Sequence, residues 1–186
     1  MKTGGLSLDQ APAEDIPLRF FISAPIFGIL AGLMVLLKGN LLFSNTWMPE
    51  TVALTHLLTL GWMGSVMFGA LYQMIPVLVG GVGPFPRLSR MLHTILIPAI
   101  LLMVSGFFWN HSWMLKVSLA LLFPTILLFL LQLVQPLVRA DGSRPVVLAM
   151  RFAGICLALT HLLGSLNLVQ YSGWWPGFLD RNLLKT

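Results

Sequence analysis

The sequence predicts an all-α membrane protein, a polytopic bundle of about five transmembrane helices. Three observations predict it. Of 186 residues, 57% are hydrophobic and only 9% are charged, against about a quarter charged in a soluble domain. The mean hydropathy is +0.88. Several apolar runs reach the roughly 20 residues that a helix needs to cross a bilayer, and lipid leaves helix as the default because it cannot satisfy open backbone groups.

The elements follow in order. Residues 1–15, "MKTGGLSLDQAPAED", are polar and read as a cytoplasmic tail. Glu14 and Asp15 sit directly before a run too long for a signal core, and no convincing cleavage site follows, so a cleaved signal peptide is not expected. The bundle itself takes residues 16–170. Its spans are Ile16–Leu37, Thr51–Leu78, Leu88–Trp109, Met114–Val138 and Val146–Gln170. The second is long, and Pro76 predicts a tilt or an irregular end there. Residues 171–186 form the tail on the other side.

Charge gives the orientation. Lys2, Arg19, Arg87, Arg90, Arg139, Arg144 and Arg151 fall on one side, and Lys38, Lys116, Arg181 and Lys185 on the other. The basic excess marks the first side as cytoplasmic, with the amino terminus inside and the carboxyl terminus outside. Trp47, Trp109, Trp113, Trp174 and Trp175 lie on the outer side, where an aromatic belt belongs. The net charge of +5 reads as topology and lipid-headgroup contact, not as a nucleic-acid surface. The single cysteine, Cys156, excludes an intrachain disulfide and a cysteine metal cluster.

The chemistry lies in a repeated hexapeptide. "ALTHLL" occurs at 53–58 and again at 158–163, placing His56 and His161 inside apolar runs. A buried imidazole is costly without a partner. His56 lies five residues past Thr51, roughly 8 Å below the outer end, and His161 nine residues before Gln170, roughly 13 Å below it. Those depths permit one shared site. At 100° per residue, Leu60, Met63, Met67 and Met74 share the azimuth of His56, with Gly61 and Gly64 to one side. Gly154, Ala158 and Ser165 share that of His161. The small residues serve either close helix packing or room for a flat ligand.

Three uses compete for the two imidazoles: interhelical hydrogen bonding, proton relay, or ligation of a metal or haem. The span interiors hold no Asp or Glu, which disfavours a proton pump. Zinc would want further ligands, and only His93 and His111 remain, at opposite ends of the membrane. A bis-histidine haem needs one protein ligand per face, so this inventory suits one haem b per chain best, with His56 and His161 as the metal ligands.

A resemblance adds to this. Residues 55–103, "THLLTLGWMGSVMFGALYQMIPVLVGGVGPFPRLSRMLHTILIPAILLM", resemble the second and third helices of haem–copper oxidase subunit I, closest to divergent members that are similar to nitric oxide reductases. Pro76, Gly80, Phe85, Pro86, Arg87 and Leu88 match its proline–glycine and "FPRL" elements. About 50 of the 186 residues are covered. The resemblance implies that His56 is an axial ligand of a low-spin haem toward the outer side, with His161 as the second ligand by role. It also marks the departures. The family has about twelve helices and needs six histidines, whereas this chain has four and about five spans. A copper-containing oxygen-reducing centre is therefore not expected.

The expected function is a membrane b-type cytochrome passing single electrons, a short relative of that family in a bacterial inner membrane. Its expected surroundings are lipid, a homo-oligomer or a respiratory complex, a quinol pool and a redox protein outside. Tyr72, Gln73, Gln132 and Gln135 are quinone-site candidates or simple interhelical bonds. Propionates would face Lys38, Lys116 or Arg181, with Trp47 and Trp113 as donors, and His93 would take an interhelical or headgroup bond. The alternatives are a haem carrier, sensor or assembly factor, and a haem-free structural subunit.

Overall fold

The computed structural model describes residues 11–79, 85–140 and 143–174. Gly80, Trp175, Arg181 and Lys185 lie outside them. Five helical spans result, long and apolar enough to cross a membrane, and the chain is an integral membrane protein. Among the described residues there is no strand.

The first span is α1, Asp15–Lys38. Gly39 stops it at φ 54°, a left-handed conformation that glycine adopts without steric cost. A tight 3₁₀ turn, Gly39–Phe43, extends the rod. The second span is α2, Pro49–His56, then a π-helical stretch, Leu57–Met63, then α3, Gly64–Val79. Pro49 opens it at a position where its missing N–H costs nothing. Pro76 does not end it, since the helix continues to Val79.

α4 is Pro86–Phe108, again opened by a proline. A three-residue turn leads to α5, Ser112–Val138. Asn110 takes φ 54° there, and the His111 N–H closes on the Gly106 carbonyl at 2.8 Å. A side chain on Gly106 would meet Leu115 at 2.7 Å, so glycine lets α4 and α5 touch beside their turn. α6 is Arg144–Tyr171.

Four spans pack around a core of rings. Phe20 of α1, Phe68 and Tyr72 of α3 and Phe129 of α5 meet at centroid distances of 4.4–6.1 Å. α6 stands aside on the flank of α5. Only 6% of its most apolar stretch is buried, against 33–50% for the other spans. The two ends of the bundle differ. At the arginine end, Arg90 holds Asp15 through two bonds of 2.7 and 2.8 Å, tying α4 to α1. Arg151 gives two bonds, 3.0 and 2.8 Å, to the Leu137 carbonyl and ties α6 to α5. At the other end, Trp47, Trp109, Trp113 and Trp174 are all exposed.

Candidate functional site

His56 is the last residue of α2, immediately before the π-helical stretch. Its Nδ1 lies 2.8 Å from the Val52 carbonyl, one turn back. A carbonyl oxygen only accepts, so Nδ1 carries the proton and Nε2 carries the lone pair. The ring is half-buried and stacks on Phe107 of α4, centroids 5.2 Å apart and planes 20° apart. Phe107 in turn meets Tyr171 of α6 at 5.0 Å. A line of rings thus joins three spans near the tryptophan end. Sequence reading missed it, because nothing local relates Phe107 and Tyr171 to the residue they share.

His161 is set differently. Its Nε2 lies 3.1 Å from the Phe123 carbonyl of α5, so Nε2 donates and the lone pair of the neutral ring falls on Nδ1. Its ring stacks on Phe123 at 5.2 Å and 28°. The identical hexapeptides therefore present opposite nitrogens.

Depth separates them too. The Ser112 hydroxyl donates to the Ser172 carbonyl, which levels the start of α5 with the end of α6. His161 is eleven residues from Ser172, about 16 Å of helix. Lys38 pairs with Glu50 at 3.9 Å and lies over the Phe108 ring, levelling α1, α2 and α4. His56 is six residues from Glu50, about 9 Å of helix. His56 reaches the level of Tyr171 through Phe107, and His161 lies ten residues before Tyr171, so His161 is the deeper of the two. Side chains lean toward the start of their own helix, and α2 and α6 run in opposite directions, so the rings lean further apart. The structure does not bring the two imidazoles face to face.

The neighbours expected around them also disperse. Gly61 is buried, and a side chain there would strike Phe27 of α1 at 2.7 Å. Gly64 is buried, facing Thr59, Leu60 and Phe68. Gly61 thus seats the π-helical stretch against α1, whereas Gly64 packs within its own rod. Met63, Met67 and Met74 are exposed on the outside of the rod. Gly154 faces Leu137 of α5, Ser165 is half-buried and Ala158 is exposed.

Other candidates have definite places. His93 meets the Ser23 hydroxyl of α1 at 3.3 Å, and Ser23 spends its own proton on the Phe20 carbonyl, so His93 Nε2 is the donor. That is the interhelical role expected of it. Gln132 and Tyr72 are buried and bonded across α5 and α3, whereas Gln73 and Gln135 are exposed. Lys38 is engaged by Glu50 and Phe108, and Lys116 is half-buried. Among the described residues, two narrow crevices border Tyr72, and neither includes His56.

Searches against protein-family models, curated proteins and solved structures give no match to this chain.

Proposed function

We propose that the chain is a haem-binding membrane cytochrome of b type, in which His56 would hold the haem iron, passing single electrons. The observation that carries it is the His56 ring. Its Nδ1–H is anchored on the Val52 carbonyl at 2.8 Å, which orients the ring and leaves Nε2 available, the arrangement that metal-bound histidines use. The adjoining π-helical stretch supports it, because such wide turns occur mostly at functional sites. When bound, haem supplies one-electron redox chemistry.

The residues fit one face of that group. His161 offers the second ligand through Nδ1, or through Nε2 once it leaves the Phe123 carbonyl, and it lies deeper than His56. Seating both rings on one haem requires α6 to shift along α5, and α6 is the span with the least burial to hold it. Under this proposal the arginine end faces the cytoplasm of a bacterial inner membrane. Quinol and an external redox protein are the partners, and α6 offers a surface for an oligomer or a respiratory complex. The second reading, a haem carrier or assembly factor, has one observation on its side: only one ligand is set, as suits weak and reversible binding.

Absorbance of the purified protein, oxidised and then reduced with dithionite, tests the proposal. A low-spin spectrum lost in both His56→Ala and His161→Ala supports the cytochrome. Haem present below one per chain and readily washed out supports the carrier. Protein that takes up no haem even when supplied with it overturns both.

A further inference from the structure

Among the described residues, five prolines lie inside helices: Pro25, Pro76, Pro98, Pro124 and Pro136. A helical proline has no N–H and cannot bond the carbonyl four residues before it. Pro25, Pro98 and Pro124 are exposed on the outside of the bundle. Pro76 and Pro136 are buried, and the carbonyls they deprive of a donor belong to Tyr72 and Gln132.

These two residues already form the polar centre of the bundle. The Gln132 amide donates to the Tyr72 hydroxyl at 3.1 Å, and the Ser89 hydroxyl of α4 donates to Gln132 Oε1 at 3.1 Å. Tyr72 is fully buried and Gln132 nearly so. Tyr72, Pro76, Gln132 and Pro136 all line one narrow crevice, completed by Leu71, Ile75 and Leu133. The side chains that cross-link the two helices and the prolines that free these carbonyls thus line one recess. Inside a membrane such freed carbonyls need another donor.

We infer that this crevice is a binding site for a small O–H donor, held by the carbonyls of Tyr72 and Gln132. A carbonyl only accepts, so a group held by these two must donate, and Leu71, Ile75 and Leu133 supply the apolar walls. Two sources share that chemistry: water, whose share of liquid volume is about 30 Å³, and the hydroxyl of a lipid-soluble benzoquinol. The corresponding quinone only accepts and cannot bond these carbonyls. The inference stands without the haem reading, since His56 does not line this crevice.

The test uses the composition. The chain has two tyrosines, so carbonyl-¹³C tyrosine in a Tyr171→Phe background labels the Tyr72 carbonyl alone. Solid-state NMR in bilayers then follows magnetisation passing from water protons to that carbon. Early transfer is expected, with loss of it in Pro76→Ala/Pro136→Ala, where both helices regain their own N–H donors. Adding a short-tailed benzoquinol separates the sources. Displacement of water, with new contacts from the ligand's hydroxyl protons and none from the quinone, assigns the quinol. Retained water transfer assigns water. No transfer from water together with no quinol contact overturns the inference, as does transfer that persists unchanged in the double alanine variant.

Discussion

At the scale of the residue, two histidines in the same hexapeptide have acquired different chemistry. His56 bonds its own helix through Nδ1, and His161 bonds a neighbouring helix through Nε2. The expected outcome in the metal-free protein is a neutral His56 protonated at Nδ1 and a neutral His161 protonated at Nε2. Nitrogen-15 spectra of histidine-labelled protein, assigned with single His→Ala variants, check this, and the same tautomer at both positions would contradict the geometry. Gly61 gives a second expectation. Its missing side chain is the space that Phe27 occupies, at 2.7 Å. Gly61→Leu overpacks that contact and should cost about 1–3 kcal/mol. Combining it with Phe27→Ala should restore part of the loss, as read by thermal unfolding in detergent. Tyr72→Phe should cost a similar amount, about 1–3 kcal/mol, because the buried Gln132 amide loses its acceptor.

At the scale of the element, the π-helical stretch Leu57–Met63 and the flank helix α6 matter most. The wide turns add a residue relative to an α-helix, so they set the azimuth of His56 against Phe68 and Tyr72 further along the rod. Deleting Thr59, within the stretch, should return the rod to plain α-helix and keep α2 in register with α3, because the wide turn already absorbs one extra residue. His56 would then stay on Phe107, and the fold and haem binding would both survive. Loss of haem binding in that deletion, with the fold intact, would show that the wide turn itself shapes the ligand's surroundings. α6 depends on few attachments, chief among them Arg151 on the Leu137 carbonyl and the Ser112–Ser172 bond. Arg151→Ala should loosen α6 selectively. Amide exchange in detergent should speed up in α6 and stay unchanged in α4.

At the scale of the molecule, the bundle is polar in the sense of having two different ends. Asp15, Arg19 and Arg90 cluster at one end, and exposed tryptophans crowd the other. With the arginine end in the cytoplasm, a membrane-impermeant maleimide applied to intact cells should label Asn45→Cys and leave Arg139→Cys unlabelled, both in a Cys156→Ser background. The reverse pattern would invert the topology and move the candidate site to the cytoplasmic half. If α6 is the element that shifts to complete the ligand pair, supplying haem should also slow amide exchange in α6 more than elsewhere.

The sequence by itself determined the class, the number of spans and their approximate ends. Those follow from hydropathy and length, which lipid imposes on each segment separately. For His93 the sequence left an interhelical or a headgroup bond open, and the contact with Ser23 of α1 gives the first. The relation between His56 and His161 was decided only by the tertiary structure. Depth counted along each helix has no common zero until Lys38–Glu50, Ser112–Ser172 and the rings of His56, Phe107 and Tyr171 align the spans. Azimuth at 100° per residue also fails across Leu57–Met63, where the turn is wider. That is why Met63 and Met67 face outward and Gly61 faces α1 rather than the histidine. The pairing of Pro76 with Pro136 was likewise hidden. Each proline announces one freed carbonyl, but only packing α3 against α5 sets the two prolines along one recess, because the two helices are separate segments of chain that nothing short of the folded bundle brings into register.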